Sequence, residues 1–456
     1  MRITKLQITE YKNLKDFSWE LSTTSAVTVI VGKNASGKTN LLEAITLIFQ
    51  YFFTLDKNDK GELVKPKSIP FEFEISYMKS EETITIKKES DDITITVNDE
   101  IINFTQINTP FLKGYGNSKS ILPERVFLYY AGIFDRMKDT VKNTDKKFKT
   151  LLESGSTLKS RSFINYEPIQ YKFIFFALLT GNTDNNFLET EFNINTQSFE
   201  AKLYFKKKNK FKQENEWNLP LNLNRIFELL NNSQSQKKDW NSKYFEFTNK
   251  FEDKLIRELQ ESYGIFENLD ILYLTELVTD MDILFTKNEV QINFDDLSEG
   301  EKQRLAIRGA MEIFRGKETL FLLDEPDAFA HPRWQWEFVP EIQKVIGENN
   351  SQQVLFVTHS PIILSTLSEP AFVIRNGQIT EMNSTFGNSV NETLAEQDVD
   401  YRQDEVAKKL KHYIIFIQQG KANTKEAKEL RAELDKLLGS EHPELKYADD
   451  LIDLYE

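Results

Sequence analysis

Cysteine is absent from the 456 residues, histidine occurs four times, and glycine and proline are sparse at 17 and 12. Lack of cysteine excludes disulfides, thiolate zinc ligands and thiol nucleophiles, and suits a reducing compartment, so a cytoplasmic location is expected. Long apolar runs are missing too. The most apolar stretch, FIFFALL at 173–179, falls far short of the roughly 20 residues a spanning helix needs. The N-terminal MRITKLQITEYKNL alternates like a strand and lacks the apolar centre of a signal peptide, so no membrane association is expected. Positive charge is not in excess. A net charge of −14 argues against a uniformly basic nucleic-acid binder and leaves room only for a local basic track.

What is present begins with GKNASGKT, residues 32–39. Every fixed position of the phosphate-loop pattern is filled, with a β run (AVTVIVG) before it and a helical pattern (KTNLLEAITLIFQYFF) after it. Gly32 and Gly37 let successive backbone N–H groups face phosphate oxygens, and the following helix adds its positive end. Lys38 is placed to neutralise the β and γ phosphates of ATP, and the Thr39 hydroxyl to ligate Mg²⁺. Asn34 and Asn40 belong to the same nucleotide site.

A second half of the site lies far along the chain. TLFLLDEP ends a β run in two acids at the end where parallel sheets bind ligands. Asp324 is expected to hold the metal and Glu325 to polarise an attacking water. VLFVTHSP ends another β run in His359, expected to sense the γ-phosphate. Ahead of both in the chain, LSEGEKQRLAIRGA offers Ser298 and Gly300 at the start of a helix, a second anion-binding turn. One ATP cannot use two helix N-termini on the same side. Ser298 and Gly300 are therefore expected to face the ATP of a second copy, and the second turn implies a head-to-tail homodimer.

These residues resemble the ATP-binding-cassette superfamily: phosphate loop Gly32–Thr39, signature Leu297–Glu301, carboxylates Asp324 and Glu325, switch His359. The signature departs from the usual pattern at Glu299, where a glycine is common. The wide spacing of the motifs and LDEPDAFAHP are similar to the RecF/Rad50/OLD-type group (AAA_15 and AAA_21 ATPases) and unlike transporter subunits. In that group Asn13 and Lys15 of YKNLKDF align with a nucleotide-contacting stretch. YYAG, STFGNSVNETL and the helical tail are similar to standalone ATPases of bacterial anti-phage systems, Septu (PtuA) first and PARIS (AriA) second.

The resemblance implies an ATPase subunit that scaffolds and controls a separately encoded HNH or Toprim nuclease effector. Only 97 residues follow His359 (456 minus 359), fewer than the Toprim domain of OLD proteins requires. No nuclease-like cluster of the chain's own is evident. The alternative is a RecF/Rad50-like DNA-repair ATPase that clamps DNA, although no long heptad run supports a coiled coil.

The expected fold is α/β: a cassette-type sheet domain with a long α+β insertion and a helical tail. Its expected segments are 1–54 with the phosphate loop, 55–290 as β meander and helical insertion, 291–395 with the remaining ATPase motifs, and 396–456 as an oligomerisation or partner-binding tail. Within the insertion, LNRIFELLNN and YFEFTNKFEDKLIRELQESYG read as helical. Two lysine tracts, 136–150 and 205–212, read as solvated loops or hairpin tips, with a phosphate-backbone contact aided by Phe205 and Phe211 as the functional alternative. In the tail, Val406, Leu410, Tyr413 and Ile417 share one helical face and Leu430, Leu434, Leu437 and Leu438 another, predicting two or three antiparallel helices.

Overall fold

The computed structural model describes residues 1–21, 26–57, 63–65, 68–103, 121–132, 136–153, 161–181, 187–206, 224, 235–237, 242–248, 264–347, 351–367, 371–382, 404–440 and 442–455. The chain divides into two compact units, Met1–Ser384 and Thr385–Glu456. No helix among the described residues is long and apolar enough to cross a membrane.

The sheet that carries the chemistry has seven strands. In spatial order they are Phe163–Asn165, Arg125–Tyr130, Thr319–Asp324, Gln352–Thr358, Val27–Val31, Ala371–Arg375 and Gln378–Met382. All neighbours run parallel except the last pair. That pair is a hairpin across Asn376 and Gly377, whose φ values of 51° and 77° match the tight turn that Asn-Gly favours. The strands Val27–Val31, Thr319–Asp324 and Gln352–Thr358 are buried at every residue, as expected of a parallel sheet covered on both faces.

Alternation along each strand assigns side chains to two cores. Val29, Phe127, Phe321 and Phe356 point into one, and Ile30, Leu128, Leu322 and Leu355 into the other. The second core is closed by the helix Lys38–Phe53 and by a six-stranded antiparallel sheet. That sheet joins the N-terminal strands Arg2–Tyr11 and Leu14–Glu20 to the meander Phe73–Lys79, Glu82–Glu89, Asp92–Val97 and Glu100–Ile102.

The first core is closed by the helices Pro168–Thr180, Ile265–Leu274, Glu299–Ile313 and Pro332–Gly347, with a five-stranded antiparallel sheet around Ile194–Lys206 and Val278–Lys287. FIFFALL thus lies in Pro168–Thr180, a helix buried along most of its length rather than one exposed to lipid.

Several expectations change here. Residues 55–290, expected as an insertion, contribute the strands Arg125–Tyr130 and Phe163–Asn165 to the central sheet. The tract 136–150 is not a loop but most of the helix Arg136–Glu153, with Val141, Phe148 and Leu152 buried. Of the tract 205–212, only Phe205 and Lys206 lie within the described residues; they end a strand, and Phe205 faces the core, 1% exposed. The residues YFEFT, expected to be helical, belong to the strand Ser242–Thr248, because Phe245 and Phe247 pair with Leu203 and Ala201 of its neighbour. LNRIFELLNN lies outside the described residues apart from Asn224.

Among its described residues the second unit holds three helices, Asp404–Gln418, Lys425–Leu438 and Pro443–Tyr455. Leu410, Tyr413, Ile417, Leu434, Leu445 and Ala448 form its own small core, while Leu437 is 52% exposed.

Candidate active site

The phosphate loop leaves the strand Val27–Val31 and enters the helix Lys38–Phe53 at Gly37, whose φ of 118° suits only glycine. At Gly32 a Cβ would stand 2.5 Å from Ser36 Oγ and 2.6 Å from the Ile374 carbonyl oxygen. Neither glycine can be replaced without moving the loop. The loop is braced from outside by the turn at 12–13. Asn13 Nδ2 donates to the Ala35 carbonyl at 2.9 Å and Asn13 Oδ1 accepts from Asn40 Nδ2 at 2.5 Å. The Gly377 N–H donates to the Ser36 carbonyl at 3.1 Å.

Lys38, buried at 6% exposure, folds back over the loop, and its Nζ donates to the carbonyl of Gly32 at 2.6 Å. The same Nζ lies 3.7 Å from Glu325 Oε1. Burial lowers its pKa, opposed by the charges of Glu325 and Asp324. Glu325 leaves the strand Thr319–Asp324 with a left-handed φ of 52°, an uncommon conformation for a non-glycine residue and of the kind found at functional sites. On its far side Glu325 Oε2 is 2.5 Å from His359 Nδ1. Sheet order brings these together: the strand ending at Thr358 lies between the Asp324 strand and the phosphate-loop strand. Lys38, Glu325 and His359 therefore form a continuous polar line.

That line borders a cleft of about 530 Å³ lined by Lys12, Asn13, residues 34–40 of the loop, Tyr130, Gly132, Asp324 and Glu325. Of the expected residues, Asn34, Gly37, Lys38, Thr39, Asn40, Asp324 and Glu325 are in the lining, whereas Gly32 and His359 are not. Ser36 Oγ is buried in the loop without a hydrogen-bond partner, as suits a hydroxyl beside an anion. Thr39 and Asp324 supply hard oxygen donors of the kind magnesium takes. The donor set fits a nucleotide phosphate chain with its divalent cation.

The structure does not bring Ser298 and Gly300 into this cleft. Ser298 is the N-cap of the helix Glu299–Ile313 in a capping box: its backbone N–H and hydroxyl donate to Glu301 Oε2 at 3.0 and 2.8 Å. Ser298 is exposed whereas Gly300 is buried. A Cβ on Gly300 would stand 2.6 Å from the Phe329 carbonyl oxygen, so this glycine serves packing within its own chain. Lys15, expected beside the nucleotide, instead pairs with Glu10 at 3.1 Å on the surface, and Lys12 lines the cleft in its place. Lys12 and Tyr130 were not among the expected residues. Only the pairing of Tyr130 with Asp324 in neighbouring strands puts Tyr130 there, and a sequence shows no such pairing.

Residues 1–364 match the AAA ATPase domain family. The chain is similar to the retron Vc95 probable ATPase of Vibrio cholerae serotype O1 biovar El Tor, 20% identical over 480 residues that cover 94% of this chain and 86% of that protein. It is also similar to the retron Ec83 probable ATPase of Escherichia coli, 27% identical over 177 residues, 35% of this chain and 32% of that one. Among solved structures it is similar to an SMC head domain from Thermotoga maritima, with 14% identity, a TM-score of 0.36, and coverage of 84% of this chain and 100% of that chain. With the family spanning residues 1–364 of 456, the chain belongs to the AAA ATPase domain family and is an ATPase with an α/β fold.

Proposed function

We propose that this ATPase works as a head-to-tail homodimer, or a higher assembly of such dimers, in an anti-phage defence system whose separately encoded HNH or Toprim nuclease it holds and controls. The observation that carries the catalytic part is the polar line Lys38–Glu325–His359, in which Lys38 and Glu325 line the cleft and His359 stands against Glu325 outside the lining. Lys38 and the loop N–H groups bind the phosphates of ATP, and Asn34 and Asn40 complete the lining. Thr39 and Asp324 hold Mg²⁺, which supplies charge neutralisation at the phosphates. Glu325 accepts a proton from the attacking water, and His359 orients Glu325 and meets the γ-phosphate. Ser298 and Gly300, remote from their own cleft, supply the opposing anion-binding turn to a second copy.

The defence role rests on the resemblance to Septu and PARIS ATPases and on the nearly full-length similarity to a protein named for a retron. A DNA-clamping role has less support. In the helix Arg136–Glu153, Lys147 Nζ donates to the Thr54 carbonyl and Lys149 pairs with Glu276, which uses two of its cations inside the chain.

Mixing two inactive variants tests the shared site. Ser298→Arg blocks the opposing turn and Lys38→Ala the cleft, so a mixed dimer keeps one composite site with two intact halves. Hydrolysis is expected to return on mixing. Its absence, with mixed dimers shown to form, would remove the shared-site reading. Purification from the native operon is expected to bring a nuclease with the ATPase, and a lone ATPase would favour repair.

A further inference from the structure

Next to the Glu325–His359 contact in the chain lies a closed set of buried and part-buried hydrogen bonds that the reading above does not use. Thr358 Oγ1 donates to Asp327 Oδ1 at 2.8 Å and accepts from the Ser360 N–H at 3.0 Å. Ser360 Oγ donates to Gln335 Oε1 at 2.7 Å. The Gln335 amide then returns to the starting turn, donating to the carbonyls of Asp327 at 3.4 Å and Ala330 at 3.2 Å. The ring closes through three separate pieces of chain: the turn after Glu325, the first part of the helix Pro332–Gly347, and the end of the strand Gln352–Thr358.

His359 sits inside this ring without belonging to it. Its two sequence neighbours are pinned, and its own side chain is 63% exposed with Glu325 as its recorded partner. Long polar side chains that are solvent-exposed sample several rotamers, and holding one in place costs entropy. Fixing Thr358 and Ser360 on either side restricts the His359 backbone and so directs its ring toward Glu325. The same ring holds the turn 327–330, whose Phe329 carbonyl is the surface that Gly300 packs against. One network thus supports both the hydrolytic corner and the base of the signature helix.

We infer that Asp327 and Gln335 are positioning residues for ATP hydrolysis, acting through Thr358 and Ser360 to hold His359 against Glu325. This rests on the assignment of Glu325 and His359 to hydrolysis given above. Neither Asp327 nor Gln335 lines the cleft, so nucleotide binding is not their task. Gln335 cannot be replaced by a residue that only accepts or only donates, because it does both within the ring. Asp327 needs only an acceptor toward Thr358, which asparagine also offers.

The test measures kcat, KM and equilibrium ATP affinity for Gln335→Met, Asp327→Ala and Asp327→Asn in the full-length chain. Ser360→Ala cuts the same ring elsewhere and serves if Gln335→Met does not fold. The expected result is a fall in kcat of about tenfold or more for the ring-breaking variants, with ATP affinity within about twofold of the parent, and substantial recovery of kcat in Asp327→Asn. Parental kcat in the ring-breaking variants would overturn the inference. So would loss of ATP affinity and melting temperature in step with kcat, which is the pattern of a general structural role. Glu325→Gln, measured alongside, separates the two levels. If it hydrolyses ATP like the parent, the assignment of the corner itself fails; if it is inactive while the ring variants are not, only the ring is refuted.

Discussion

At the scale of single residues, the site depends on a few side chains whose neighbours set their charge. Glu325, held between Lys38 and His359, is the group proposed to take a proton from water. Glu325→Gln keeps the shape and loses the base, so single-turnover hydrolysis is expected to fall by about 10²–10⁴-fold with ATP still bound. Lys38→Ala is expected to abolish tight ATP binding, because the loop then presents no buried cation to the phosphates; an ATP titration by calorimetry reads both variants. Asp327 makes a pH prediction. Burial pushes its carboxyl up from the usual 3.8 to about 6, with hydrogen bonding from Thr358 opposing. A carboxyl raised in the folded state contributes stability that is full below about pH 4 and lost as pH rises through about 6. Asp327→Asn is therefore expected to gain about 1–2 kcal/mol on the parent between pH 4 and pH 7. Parallel denaturant midpoints for the two chains across that range would refute it.

At the scale of elements, the signature helix Glu299–Ile313 shows how a binding motif can be built first for packing. Its N-cap geometry is satisfied by Glu301, and its glycine meets backbone of the same chain at Phe329. Backbone cannot swing aside as a side-chain tip does. Gly300→Ala is therefore expected to lower the stability of the isolated chain by about 1–3 kcal/mol, measured by urea unfolding without nucleotide. The helix is further fixed by Arg304 and Arg308, which share Glu191 and Glu341. Such partly buried ion pairs hold orientation more reliably than they add stability. Ser298 and Gly300, proposed to serve a neighbour's nucleotide, thus differ within their own chain: Ser298 is exposed, whereas Gly300 is buried against the Phe329 backbone.

At the scale of the whole molecule, two units have separate cores. The second unit needs none of the ATPase core to bury Leu410, Tyr413, Leu434 and Leu445, and keeps Leu437 and Tyr447 at 52% and 59% exposure. Removal of residues 401–456 is expected to leave a folded, ATP-binding product that has lost subunit or nuclease association, read by light scattering and co-purification. Unchanged assembly in the truncated chain would end the proposal of a partner-binding tail.

Local sequence determined the parts of this protein whose residues are neighbours in the chain. The phosphate loop needs two glycines and a lysine at fixed spacing, the short apolar runs before Asp324 and His359 read as buried strands, and the tail's leucines repeat at helical spacing. Tertiary structure decided what depends on strand order and pairing. It placed the Thr358 strand between the other two, which brought His359 to Glu325, and it paired Tyr130 with Asp324, which added Tyr130 to the cleft. It also made the first lysine tract a helix that buries Phe148, and YFEFT a strand, where the pairing of Phe245 with Leu203 agrees with the strand preference of Tyr, Phe and Thr. Periodicity reports which face of an element is apolar, but the partner that covers that face is set by distant residues, and sequence spacing carries no record of that distance.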